Sequence, residues 1–184
     1  MGRSAALSQR EGEAGLKGLI RFLDRISGTS GAIAAWLVIP LIAAGCYEVF
    51  SRYVLGAPTF WAYEVGTMVM GTHFLIGLAY TLREREHVRV DFFYAHVSPR
   101  KRAFIDAFTY VALVLPVAGW LSAGLWGKVQ SAYESHERSG ISAFNPVIWP
   151  FRLIMCTAFA LLFLQAVSEL LKAIRVFSDR ENTR

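Results

Sequence analysis

The segment REREHVRVDFFYAHVSPRKR, residues 83–102, separates two long apolar runs and carries six Arg and Lys residues. A short loop rich in Lys and Arg stays on the cytoplasmic side of a bacterial-type membrane, because its translocation is unfavourable. This segment therefore predicts a membrane protein, and it sets the orientation of the apolar runs on either side.

The composition of the 184-residue chain agrees with this prediction, since 54% of its residues are hydrophobic and only 18% are charged. A soluble domain normally carries about 25% charged residues. A chain of this length has room for about four spans of roughly 20 residues each, which leaves no separate catalytic domain, so we do not expect an enzyme. The net charge of +5 follows the topology, which favours contact with anionic membrane lipid over contact with nucleic acid.

The apolar runs predict an all-α integral membrane protein that forms a single membrane domain over residues 1–184, with four transmembrane helices. The spans are predicted at residues 26–50, 62–82, 104–127 and 148–172.

The segments outside the spans give two further expectations. Residues 1–15 are expected to form a flexible cytoplasmic tail. From Leu16 onward, apolar residues recur at helical spacing, which fits either an interfacial amphipathic helix or an extension of the first span. The apolar residues of the central loop suit a second interfacial helix.

The distribution of positive charge predicts that both termini are cytoplasmic. The N-terminal segment carries five Lys and Arg residues, the central loop six and the C-terminal segment four, against four in the two loops on the other side. The positive-inside rule therefore places the turn at 53–60 and the long loop at 128–147 outside the cytoplasm.

Ionisable residues in the middle of a span are the first place to look for function, because a buried charge there is unfavourable by at least about 2.5 kcal/mol. His73 is the only deep titratable residue, and one histidine does not supply the two axial ligands of a bis-histidine haem. We interpret it as a packing residue bonded to a neighbouring helix, and we expect this chain to bind no cofactor or metal. Gly66, Gly71 and Gly77 mark positions where another helix can approach closely.

Three ionisable residues flank the first outer turn. Glu48 and Arg52 lie four residues apart on one helical face, where they can pair, and Glu64 follows the turn. Together they predict a small ion network. The simpler interpretation is a clamp on the helical hairpin, and the alternative is that one of them reaches a partner subunit.

Three short motifs resemble the small membrane subunit, the DctQ-type or Q subunit, of tripartite ATP-independent periplasmic (TRAP) transporters. They are RYVLGAPTFWAYE, GLAYTLREREHVRVD and NPVIWPFRLIM, and the resemblance covers about residues 26–173. We expect structural or partner-interface roles for Glu48, from the ion network described above, and for six residues within the motifs: Arg52, Trp61, Glu64, His87, Asp91 and Trp149.

The resemblance also implies a function and two protein partners. The chain would be a scaffold that supports a large, DctM-type subunit, whose elevator-type movement carries an organic acid together with sodium ions. A periplasmic substrate-binding protein would deliver the acid, and the loop at 128–147 would help to dock it. The expected location is the bacterial cytoplasmic (inner) membrane.

Two other function classes stay open on the sequence. A membrane anchor or electron-transfer subunit of a respiratory enzyme also has a few spans and no soluble domain, but it would need axial ligands or a quinone pocket. A self-contained small transporter would need a charged residue in mid-span, and none is found in the four predicted spans.

Overall fold

The computed structural model describes the backbone of residues 2–84 and 99–181, and the side chains of residues 15–84 and 104–174. It contains five α-helices: α1 (Gly2–Tyr53), α2 (Ala62–Arg83), α3 (Pro99–Thr109), α4 (Leu115–Glu134) and α5 (Trp149–Glu181). The short π-helical turn Tyr110–Val114 joins α3 to α4. Within these ranges there is no β-strand.

Four helical segments are long and apolar enough to cross a membrane, which confirms the predicted all-α membrane class. They are Gly15–Tyr53, Ala62–Arg83, Phe104–Glu134 and Trp149–Ile174. Each of the four predicted spans coincides with one of these segments, because an uncharged apolar run of about 20 residues leaves a helix as the only way to satisfy its backbone in hydrocarbon.

The N-terminal segment is a helical extension of the first span. Helix α1 runs without interruption from Gly2 to Tyr53, although it contains Pro40. The sequence left two alternatives for the residues from Leu16 onward, a separate surface helix or an extension of the first span. The structure shows the extension. The backbone of residues 2–15, which we expected to be flexible, is helical as well.

The third span differs from its predicted form at both its middle and its end. Pro116 has no backbone N–H, so one helical hydrogen bond is missing. The turn before it is π-helical, and there the Leu115 N–H bonds to the Tyr110 carbonyl, five residues earlier. Helix α4 continues to Glu134, into the predicted loop at 128–147. Buried Val129 and Ala132 extend its packing face beyond the apolar run.

Helix α5 is the centre of the bundle. It packs against α1, α2, α3 and α4, whereas α4 packs along its length on α5 alone among the described helices. Its buried positions are small or polar (Ala158, Gln165, Ala166 and Ser168 are fully buried), so neighbouring helices approach closely. A cluster around Leu82, Tyr110 and Ala166 joins α2 and the π-helical turn to α5.

Glycines on α2 mark the predicted close approaches. A Cβ atom at Gly71 would lie 3.1 Å from the ring of Phe151 on α5, and one at Gly77 would lie 3.9 Å from Ala34 on α1. The reciprocal contact on α1 is tighter, since a Cβ atom at Gly31 would lie 2.6 Å from Cδ2 of Tyr80. These contacts confirm that the α2 glycines face other helices.

We predict that Gly31→Ala lowers the thermal stability of the chain, because the added methyl group meets the base of the Tyr80 ring, which the backbone holds in place. Overpacking of this kind typically destabilises by about 1–3 kcal/mol. The measurement is the unfolding temperature of the purified protein in mild detergent. Gly45→Ala is the matched control on the same helix, since nothing lies within 4 Å of its added methyl group. Equal unfolding temperatures for the two variants would contradict the tight contact.

Candidate functional site

The turn between α1 and α2 is held by one carboxylate. Glu48 Oε1 accepts hydrogen bonds from Arg52 Nη2 at 2.5 Å and Nε at 3.0 Å, and its Oε2 accepts from the Thr59 backbone N–H at 2.9 Å and from the Thr59 hydroxyl. The Ser51 hydroxyl also donates to the Ala57 carbonyl. The predicted pairing of Glu48 with Arg52 is confirmed, and the pair clamps the hairpin.

Glu64 does not belong to this ion network, so that part of the prediction is wrong. Its side chain is only 2% exposed, and its Oε2 accepts a hydrogen bond from the Ser142 hydroxyl in the loop between α4 and α5. Its Oε1 has no hydrogen-bond partner among the described residues. The reason is its place in the first turn of α2, on the face covered by that loop and not on the face towards Glu48. Glu64 therefore joins the start of α2 to the loop between α4 and α5.

Two tryptophans brace the same end of the bundle. Trp61 stacks on Tyr47 of α1, with ring centroids 5.9 Å apart, and Trp149 packs edge-on against Tyr133 of α4 at 5.6 Å. Both indoles are half-buried. They connect the ends of neighbouring helices and stay partly exposed.

The loop between α4 and α5 has a defined shape. Arg152 donates to both carboxylate oxygens of Glu137, at 2.5 and 2.7 Å, so this arginine is paired within the chain. An isolated β-bridge joins Arg138 to Val147, and Gly140 adopts a φ of +67° that favours glycine. Backbone bonds Ser139–Pro146 and Ile148–Glu137 close the loop (both 3.0 Å).

This ordered loop presents apolar side chains at its tip. Ile141 is 70% exposed and Phe144 is 44% exposed. Because the loop is held by backbone and side-chain bonds at its base, these two side chains are displayed at fixed positions. Exposed apolar groups on a rigid loop are a typical contact surface for a protein.

A second polar cluster lies at the opposite end of the bundle, and the sequence analysis missed it. Asp24 Oδ1 accepts hydrogen bonds from Ser168 at 3.0 Å, Lys172 at 2.9 Å and Gln165 at 3.1 Å. Lys172 also bonds Glu169 at 2.6 Å. The signal was present in the last predicted span, where polar residues recur at positions 165, 168, 169 and 172, the spacing of one helical face.

This inner cluster joins three of the spanning helices. Ser27 of α1 donates to Gln165 Oε1 at 2.6 Å, and Arg83 at the end of α2 donates to the Asp24 carbonyl at 3.0 Å. Gln165 is fully buried and bonded on both its oxygen and its nitrogen, as a buried amide requires. The cluster therefore fixes the relative positions of α1, α2 and α5.

His73 is a packing residue, as predicted. Its Nδ1 lies 2.7 Å from the Ala34 carbonyl of α1, and its ring contacts Phe74 edge-on. No group of three or more His, Cys, Asp and Glu side chains that could hold a metal ion occurs in the described part of the chain. His87 and Asp91, which the resemblance singled out, lie outside the described residues.

The family model for tripartite ATP-independent periplasmic transporters, DctQ component, matches residues 41–176. This is well over half of the chain, and it includes the turn between α1 and α2, the loop between α4 and α5, and the Glu48–Arg52 pair. The chain belongs to the DctQ family. It is therefore the small subunit of a TRAP transporter, in a family of transporter components and not of enzymes. No individual curated protein matches the chain.

The extent of the match divides this DctQ chain into two parts. The matched region begins at residue 41, in the last quarter of α1, later than the resemblance at residue 26 indicated, and ends in α5. It contains Glu48, Arg52, Trp61, Glu64 and Trp149. The preceding part of α1, with Asp24 of the inner cluster, lies before it.

We predict that Ser142→Ala lowers the unfolding temperature, because the buried Glu64 carboxylate then loses the hydrogen bond that the Ser142 hydroxyl donates to it. Loss of a partner for a buried polar group is unfavourable by about 1–3 kcal/mol. Thermal unfolding in mild detergent measures the change. Ser135→Ala is the control, because the exposed Ser135 hydroxyl donates to the Ser131 carbonyl one turn earlier, in α4. An unfolding temperature for Ser142→Ala equal to that of the Ser135→Ala control would contradict the bond between Ser142 and Glu64.

Proposed function

We propose that this DctQ subunit is a scaffold for a large, DctM-type elevator subunit in the sodium-coupled, binding-protein-dependent uptake of an organic acid. It resides in the bacterial inner membrane with both termini in the cytoplasm. The large subunit binds the sodium ions and the acid, and this chain binds no cofactor of its own.

The observation that carries the proposal is the placement of charge. Within the described spans, the charged side chains lie towards the two ends, and bonded groups form around Glu48 and Arg52 at one end and around Asp24 and Lys172 at the other. Between these layers, His73 is occupied by the Ala34 carbonyl. An internally stapled bundle of this kind suits a static support for a moving partner.

The surface of the bundle also supports a scaffold role. Large apolar side chains are exposed along the two outer helices, among them Trp36 on α1 at 72% and Trp120 on α4 at 76%. In a membrane this surface faces lipid or another transmembrane protein. A small subunit with so much unpaired apolar surface can widen the footprint of a larger one in the bilayer.

We expect the tagged chain to recover a many-span hydrophobic subunit in roughly equal amount when it is purified from its own membranes in mild detergent. Mass spectrometry identifies the partner, and membranes without the tag give the background. Recovery of the chain alone, or with a haem or flavin protein, would contradict the scaffold function.

We further propose that the loop between α4 and α5 docks the loaded periplasmic binding protein through Ile141 and Phe144. The double variant Ile141→Ser and Phe144→Ser should weaken binding of that protein to the complex in lipid nanodiscs by about tenfold, since both exposed apolar contacts are lost. The ratio of the two membrane subunits should not change.

The matched control for this loop variant is Gln130→Ala, at an exposed position on α4 before the loop begins. Gln130→Ala should bind the periplasmic protein as the unchanged complex does. Undiminished binding by the Ile141 and Phe144 double variant would reject the loop as a docking surface.

A further inference from the structure

One exposed face of α1 has the residue spacing of a helix that packs against another helix. Ala32, Trp36, Ile39, Ala43, Cys46 and Phe50 follow each other at alternating intervals of four and three residues, and we call this set the α1 seam. All six are exposed in the part of the chain that the structure describes. Apolar residues at this heptad spacing form the contact line between helices that cross at about +20°.

The α1 seam lies opposite the face that α1 uses inside the bundle. Buried Ser27, Ser30 and Ala34 form that internal face, which packs on α2 and α5. The internal contacts of α1 therefore leave the α1 seam uncovered.

The side chains of the α1 seam alternate between small and large. Ala32 and Ala43 are small, whereas Trp36, Ile39 and Phe50 project from the helix. Near its outer end, the surface has an apolar concavity that Ile42, Cys46, Val49 and Phe50 line. This alternation of large and small side chains suits the packing of a second helix, because the small residues let the partner backbone approach closely.

Trp36 distinguishes a protein partner from lipid. It lies in the middle of the uncharged residues 26–47, about 15 Å from either edge of the hydrocarbon core. Its ring is 72% exposed, and no described residue accepts a hydrogen bond from its indole N–H. Tryptophan in membrane proteins prefers the interfaces, where its N–H finds an acceptor, and acyl chains at mid-depth offer none.

A charge at the inner end of the same face points to the same kind of partner. Arg25 continues the spacing of the α1 seam towards the cytoplasm, is exposed, and forms no ion pair with any described residue. A helix that covers the α1 seam and carries a carboxylate at the inner interface complements it. The covering helix should therefore supply an acidic group at the depth of Arg25 and an oxygen acceptor at the depth of Trp36.

A second copy of this chain does not meet these needs. Two copies related by a twofold axis along the membrane normal place identical residues at the same depth. Arg25 would then face Arg25, and Trp36 would face another indole that is a donor only. The charges and donors on this face favour a different protein.

We propose that the α1 seam binds a transmembrane helix of the large membrane subunit, with Trp36 donating a hydrogen bond to an oxygen of that helix. This inference rests on the proposed scaffold function. Trp36 and Arg25 precede residues 41–176, the region that matches the family model.

The test compares two substitutions in the α1 seam with two matched controls on α4, in the intact complex. Ala43→Leu fills a hole and should lower the recovery of the large subunit with the tagged chain by at least about tenfold. Trp36→Phe removes the indole N–H together with part of the ring, and it should lower recovery by about threefold. Ala123→Leu and Trp120→Phe make the same changes at exposed positions of α4 and should leave recovery unchanged.

A photoreactive phenylalanine analogue in place of Trp36 identifies what covers the α1 seam. The expected product is a crosslink to the large subunit. A crosslink only to a second copy, or only to lipid, would overturn the proposal. Unchanged recovery with Ala43→Leu would overturn it too, while the scaffold function would stand. If the unsubstituted chain retained no large subunit, both proposals would fall.

Discussion

The hydrocarbon core of the membrane is the constraint on which the rest of this structure depends. Across about 30 Å there is no water to satisfy a charge or a backbone group, so the chain crosses as helices and keeps its charges at the two ends. At one end Glu48 binds Arg52 and the turn that follows α1, and at the other end Asp24 binds Lys172. Each polar layer therefore also serves as a staple between helices.

These two staples hold α1 to the turn before α2 and to α5. Apolar burial between helices contributes little in lipid, because acyl chains are as apolar as leucine. Close packing at small residues, such as Gly31 against Tyr80, and hydrogen bonds at the ends contribute instead. Helix α5 supplies most of both, with fully buried Ala158 and Ala166 along its length and Gln165 in the inner cluster.

The central position of α5 leaves the outer faces of α1 and α4 free of contact with the described helices. This distribution is typical of a subunit that works in a complex and not alone. In the function proposed for this DctQ chain, the uncovered face of α1 contacts the membrane partner and the loop between α4 and α5 contacts the binding protein. The two surfaces lie on different elements, so substitutions can separate them.

The sequence alone determined the fold class, the four spans and the pairing of Glu48 with Arg52. These follow from local rules, since an uncharged run must be a helix in lipid and residues four apart share a helical face. The resemblance to DctQ subunits was also visible in the sequence, because each motif is an unbroken stretch of residues. The packing role of His73 followed from its isolation in the second span.

Only the tertiary structure decided which distant residues meet. Asp24 and Lys172 lie at opposite ends of the chain, and Glu64 meets Ser142 and not Arg52, because the direction in which each helix turns its side chains depends on the neighbours it packs against. The sequence also did not show that α4 continues to Glu134, because the packing of Val129 and Ala132 extends the helix beyond its apolar run. Spacing along one helix is fixed by covalent geometry, whereas contacts between helices are fixed by packing, which a single sequence does not display.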